Sequence, residues 1–111
     1  MTEEFQPKQF NCEIAEESGA IHLRPAGDLD MSTATVLGEA LQGAIDGGAK
    51  QVVVDLRGLE FMDSTGITLV TRFNNESRRD GFNLALIPGK PRIMRLFELT
   101  GLSEYFTFVS G

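Results

Sequence analysis

The chain has 111 residues, of which 41% are hydrophobic and 23% charged, and its formal net charge is −6. That length favours one domain, able to bury roughly 65% of its unfolded surface without staples, and the composition is that of a globular chain. The Lys and Arg residues are scattered, with only Arg78-Arg79 adjacent. No basic stripe is present to release counterions from a phosphate backbone, which argues against nucleic acid and anionic membrane as partners.

Cys12 is the only cysteine and His22 the only histidine. Neither a disulfide nor a cysteine zinc cluster can be built from them, and H-E-x-x-H metal chemistry is out of reach. The N-terminus lacks a basic flank followed by an apolar run, and no apolar stretch approaches the roughly 18 residues that span a bilayer. The expected compartment is the cytoplasm. Residues 1–8 are polar and interrupted by Pro7, so a flexible N-terminus is expected there, with one domain over 9–110.

Phe10–Glu16 alternates loosely, Ser18-Gly19 supplies turn chemistry, and Ala20–Arg24 alternates again with Ile21 and Leu23 on one face. This predicts a β-hairpin whose second strand closes or bends at Pro25-Ala26-Gly27. Asp28–Thr33 offers several N-caps, of which Ser32 is the choice. Val36, Leu37, Ala40, Leu41, Ala44 and Ile45 then fall at helical spacing, up to a stop at Gly47-Gly48. Gly38 inside that helix costs up to about 1 kcal/mol relative to Ala.

Val52-Val53-Val54 reads as a central strand covered on both faces. A second helix begins at Asp63 or Ser64, turns Ile67, Val70 and Phe73 inward, and ends at Arg78-Arg79 before Asp80-Gly81. Phe82–Ile87 is a strand ended by Pro88-Gly89. Ile93, Met94, Leu96, Phe97 and Leu99 mark a third helix stopped near Gly101, and Tyr105–Val109 alternates as a last, edge strand. The order β-β-α-β-α-β-α-β predicts a single α/β domain with a mostly parallel mixed sheet, an N-terminal hairpin and about three helices.

Phe61-Met62-Asp63-Ser64-Thr65-Gly66 lies beyond the carboxyl end of the Val52–Leu56 strand, at the rim where open α/β sheets place ligands and partners. Two roles are open to Ser64 from local chemistry: capping the second helix, or exposing a hydroxyl that another enzyme can phosphorylate. A nucleophile elbow is disfavoured, because Met62 stands where G-x-S-x-G wants glycine and the loop from Leu56 is long. Phe61 and Met62 either tuck under the sheet or sit exposed; Met94 and Phe97 are expected in the core.

Asp28-Leu29-Asp30-Met31-Ser32 resembles the D-x-D-x-T loop of haloacid-dehalogenase-type phosphatases. However, Lys8, Lys50 and Lys90 lack the context that chemistry needs, so a carboxylate-rich helix-start loop is the simpler account. Pro88-Gly89-Lys90-Pro91 is not a phosphate-binding loop, since the upstream Gly and the following Ser or Thr are missing.

Taken together, three segments resemble the STAS-domain family, and within it the bacterial anti-sigma factor antagonists. Gly27-Asp28-Leu29-Asp30 with Thr33-Ala34 and Leu37 is similar to the family's G-[DE]-[LI]-D…TA…L segment. Val52–Leu56 leading to Phe61–Gly66 resembles its central strand and D-[ST]-[ST]-G signature, and Arg95–Leu102 its third helix and turn. The resemblance runs from about Phe10 to Val109.

It implies that Ser64 is the phosphoacceptor of an anti-sigma factor with serine kinase activity, and that a serine phosphatase resets it. The unphosphorylated form is expected to bind the anti-sigma factor and free a sigma factor. Asp30 matches an acidic position associated with kinase recognition. Asp63 and Gly66 match fixed motif positions and Thr65 offers a second hydroxyl; with Asp28, these form the expected partner surface. No metal or cofactor is implied for the antagonist, the ATP belonging to the kinase, and no enzymatic activity is expected of the chain. STAS domains also serve as transporter tails, stressosome components and lipid-transporter subunits, which keeps a constitutive scaffold or accessory subunit as the alternative. A small phosphatase or nucleotide hydrolase is the remaining one.

Overall fold

The computed structural model describes residues 9–111, and the expected flexible segment 1–8 lies outside them. The hairpin forms as the alternation requires. Strand β1 (Asn11–Glu17) pairs antiparallel with β2 (Ala20–Leu29), in register from Asn11 opposite Ala26 to Glu17 opposite Ala20. Ser18 and Gly19 take positive φ values of 53° and 83°, the left-handed pair that a two-residue hairpin turn demands.

Strand β2 does not stop at Pro25. Its parallel ladder with β3 (Gln51–Asp55) covers only Ile21–Leu23, and a second parallel ladder begins at Gly27. Pro25 falls in the gap between the two, where an absent N–H breaks no parallel bond. A register shift between Gly27 and Asp28, with Gly27 at φ 107°, then bends the strand end toward its new neighbour.

That neighbour lies in what the sequence reads as loop. After β3, a single 3₁₀ turn (Leu56–Gly58) redirects the chain into β4 (Leu59–Met62), which pairs with the end of β2. Asp55 holds the turn. Its Oδ1 accepts the Arg57 N–H at 3.0 Å, and its two oxygens take the Arg57 guanidinium at 2.9 and 2.7 Å.

Helix α1 (Ala34–Asp46) buries Leu37 and Leu41 completely, while Ala40, Ala44 and Ile45 flank them half-buried. Those two leucines contribute about 1.5–3 kcal/mol each, more than the glycine at position 38 costs. Val36, expected inward, is 44% exposed because it lies off the Leu37–Leu41 ridge in the first turn. Helix α2 (Ser64–Asp80) buries Ile67, Leu69, Val70 and Phe73. Strand β5 (Asn83–Ile87) pairs parallel with β3, completing the order β1-β2-β3-β5 with β4 beside β2. Helix α3 (Pro91–Leu99) buries Ile93 and Phe97, and Met94 is half-buried against the same core.

The expected terminal strand reduces to one bridge, Leu86 to Phe108. Two backbone bonds make it, the Leu86 N–H to the Thr107 carbonyl at 2.8 Å and the Val109 N–H to the Leu86 carbonyl at 2.9 Å, and side chains hold the rest of Tyr105–Val109. Phe106 and Phe108 stand edge-on to Phe97 with centroids at 5.3 and 5.7 Å, and the Tyr105 carbonyl accepts from Asn74 and Arg78 on α2. The fold class is as expected: one α/β domain, a mixed, mostly parallel sheet and an N-terminal hairpin, with β4 inserted before α2.

Candidate functional site

Because β4 lies along the end of β2, Asp28 is opposite Phe61 and Leu29 opposite Met62. The Asp63 N–H donates to the Leu29 carbonyl at 3.2 Å, tying the two following loops together. Segments separated by a whole βα unit in sequence thus share one rim.

Asp63 caps α2. Its backbone is extended, its Oδ1 accepts the Thr65 N–H at 2.8 Å, and its carbonyl accepts from Gly66 and Ile67 at 3.0 and 3.3 Å. Ser64 is the first residue of the helix, exposed, and its hydroxyl makes no hydrogen bond among the described residues. The capping role open to Ser64 in the sequence therefore belongs to its neighbour.

Gly66 is buried beneath them. A Cβ there would lie 2.6 Å from Met62 Cγ and 2.9 Å from Leu29 Cδ2, both on side chains packed into the core. Only glycine lets the first turn of α2 sit this close to the ends of β2 and β4. Thr65 is half-buried and lines a groove of about 470 Å³ between α1 and α2, together with Gly38, Leu69 and Arg72.

The loop after β2 is organised around Asp30. Its Oδ1 accepts both the N–H and the hydroxyl of Ser32, at 2.9 and 2.7 Å. The Ser32 hydroxyl, then the Ser32 N–H, hold this carboxyl below the usual aspartate range. Ser32 is not the helix cap: α1 starts one residue later, with Thr33 at the cap position, and Ser32 turns its N–H and hydroxyl to Asp30. Asp28, at the end of β2 just before this loop, is exposed, and its carbonyl accepts from the Thr33 hydroxyl at 2.7 Å.

Of the ambiguous pair, Met62 is buried and Phe61 is 46% exposed. Phe61 and Met62 form one wall of a shallow groove of about 330 Å³ whose other wall is α3: Arg92, Ile93, Arg95, Leu96 and Leu99. Leu99 is 77% exposed. The Arg95–Leu102 segment therefore reaches the same rim as the other two, which no local pattern announces.

The only histidine of the chain is remote from Ser64. His22 sits mid-strand opposite Ala15 and Val53, seven residues before Leu29, hence roughly 20 Å along β2 from the Ser64 end. Among the described residues no group of three or more His, Cys, Asp or Glu side chains could hold a metal ion, and no helix is long and apolar enough to cross a membrane.

An open mixed sheet thus carries an exposed serine, without a hydrogen bond among the described residues, at the capped start of α2, on the rim formed by the ends of β2 and β4. The chain belongs to the STAS-domain family, whose model matches residues 11–110. Among curated proteins it is 30% identical over 95 residues to the anti-sigma-B factor antagonist of Staphylococcus aureus (strain NCTC 8325 / PS 47), covering 86% of this chain and 88% of that one. The anti-sigma-B factor antagonist of Bacillus subtilis (strain 168) matches at the same identity, with 86% of each chain covered. Among solved structures, an anti-sigma factor antagonist from Mycobacterium paratuberculosis superposes with a TM-score of 0.83 at 23% identity, over 96% of this chain and 90% of that one. The unphosphorylated form of the antagonist SpoIIAA gives 0.73 at 23% identity, over 92% and 89%. These two structural likenesses establish the fold.

Proposed function

We propose that this protein is an anti-sigma factor antagonist: a non-catalytic module that binds an anti-sigma factor when Ser64 is unmodified and releases it when Ser64 is phosphorylated. The observation that carries the reading is the Ser64 hydroxyl, exposed and unbonded at the first position of α2 because Asp63 supplies the cap. A kinase can take such a hydroxyl without breaking a fold contact. The helix N-terminus tolerates the added charge of about −1.5 to −2. A partner packed on Phe61 and the α3 groove would then have to desolvate a dianion, which weakens binding without unfolding the domain.

The relatives support this assignment by name, since those matched over most of their length are anti-sigma-B factor antagonists. SpoIIAA, of the same fold, has been solved in both an unphosphorylated and a phosphorylated form. The partners that follow are an anti-sigma factor with serine kinase activity and a phosphatase acting on the phosphoserine. Asp28, Asp30, Asp63, Thr65 and Gly66 form or support the contact surface, and the compartment is the cytoplasm. Incubation with the cognate kinase and ATP, followed by mapping of the phosphate by mass spectrometry, tests the gate. Phosphate on Ser64, abolished in Ser64→Ala, is expected; stoichiometric phosphate elsewhere with Ser64 unmodified would overturn it.

A further inference from the structure

Thr33 stands at the N-cap position of α1, yet its hydroxyl caps nothing. It points back to the end of β2 and the loop that follows, donating to the Asp28 carbonyl at 2.7 Å and accepting the Asp30 N–H at 2.9 Å. The Asp30 carbonyl in turn accepts the N–H groups of Thr33 and Ala34 at 3.1 and 2.9 Å. Asp30 is thus clasped on both sides of its backbone by the start of α1, and Ser32 occupies Oδ1 at 2.9 and 2.7 Å. Oδ2 accepts no hydrogen bond among the described residues.

We propose that Thr33 is a positioning residue for partner binding, its hydroxyl locking Asp28–Asp30 to α1 so that the free oxygen of Asp30 is presented, pre-oriented, on the Ser64 rim. This rests on the reading of the rim as the anti-sigma factor surface. The logic is preorganisation: a loop ordered before encounter loses less entropy in the complex. Asp28 is exposed and Asp30 half-buried, so water can satisfy the groups that Thr33 releases. Removing the hydroxyl therefore loosens the loop more than it destabilises the fold.

The test is the dissociation constant for the cognate anti-sigma factor, measured by calorimetry on wild type, Thr33→Val, Thr33→Ser, Asp30→Asn and the Thr33→Val/Asp30→Asn double variant. Thr33→Val is expected to weaken binding about tenfold and Thr33→Ser to restore it to within about twofold, since serine keeps the hydroxyl. In the Asp30→Asn background, Thr33→Val should cost less than about twofold, because a residue acting through Asp30 has nothing left to position. Amide exchange gives a readout independent of binding: the Asp30 N–H should exchange faster in Thr33→Val while the Val54 N–H stays protected. Unchanged affinity in Thr33→Val, an equal cost in both backgrounds, failure of serine to restore binding, or unchanged Asp30 exchange would each overturn the proposal. A wild type that binds but is never phosphorylated at Ser64 removes the gate alone and leaves the Thr33 comparison standing. A wild type that does not bind the anti-sigma factor removes both.

Discussion

Asp63 Oδ1 accepts the backbone N–H of Thr65 at 2.8 Å, so the cap of α2 is built around Ser64 rather than by it. The division of labour is local and simple. The carboxylate neutralises the orphan donor, and the intervening hydroxyl is left to solvent.

Replacing Asp63 should therefore separate capping from charge. Asp63→Ala is expected to lower stability by about 1 kcal/mol, whereas Asp63→Asn, which keeps an acceptor at the cap, should cost only a few tenths. Urea unfolding of the two variants checks this. Equal losses would mean that charge, not the cap bond, is what Asp63 contributes.

Two glycines should respond to alanine in opposite directions. Gly66→Ala drives a methyl into Met62 and Leu29, with a Cβ–Cγ approach of 2.6 Å to Met62. It should destabilise by about 1–3 kcal/mol. Gly43, opening the last turn of α1, has open space around its Cβ position. Gly43→Ala should stabilise by about 0.5–1 kcal/mol through helix propensity and a less mobile unfolded chain. Thermal unfolding midpoints moving up for one and down for the other is the expected result.

Acid should weaken the 3₁₀ turn that delivers β4 to the rim. The Arg57 guanidinium, hydrogen-bonded to both oxygens of the buried Asp55, holds its carboxyl below the ordinary aspartate value of 3.8, and burial opposes this less strongly. A lowered folded pKa means the unfolded chain takes up the proton first. The stabilisation is thus complete above that ordinary value and is lost as pH falls through the folded pKa. Because the Arg57 side chain is 57% exposed, solvent screens the pair and keeps its contribution small. The stability gap between wild type and Asp55→Asn should be flat from neutral pH down to about 5 and close below about 4.

Much of this architecture is legible in the sequence, and the exceptions have physical reasons. Helical spacing locates Leu37 and Leu41 and the inward face of α2, and Ser18-Gly19 marks its turn. Strand β4 is hidden because its four residues bury the first and last, Leu59 and Met62, with no alternation to betray a strand. Pro25 reads as a terminator, but it falls where the ladder changes partner. Tyr105–Val109 alternates like a strand, yet it pairs with β5 only at Phe108, while Phe106 and Phe108 stand edge-on to Phe97. At the site, the motif places Asp63 and Ser64 at the helix start but cannot say which of them caps. Thr33 resembles an ordinary cap residue until its hydroxyl is seen to bond backward. The convergence of Arg95–Leu102 on the same rim is a property of the tertiary structure alone.

The most direct test of the account is the affinity of the unmodified and the Ser64-phosphorylated protein for the cognate anti-sigma factor, measured side by side with Ser64→Ala and Ser64→Asp. Burying a dianion at the rim should weaken binding by roughly 100-fold or more, about 2.7 kcal/mol, with Ser64→Asp weakened in the same direction and Ser64→Ala binding like the unmodified protein. Equal affinity of the phosphorylated and unmodified proteins would contradict it.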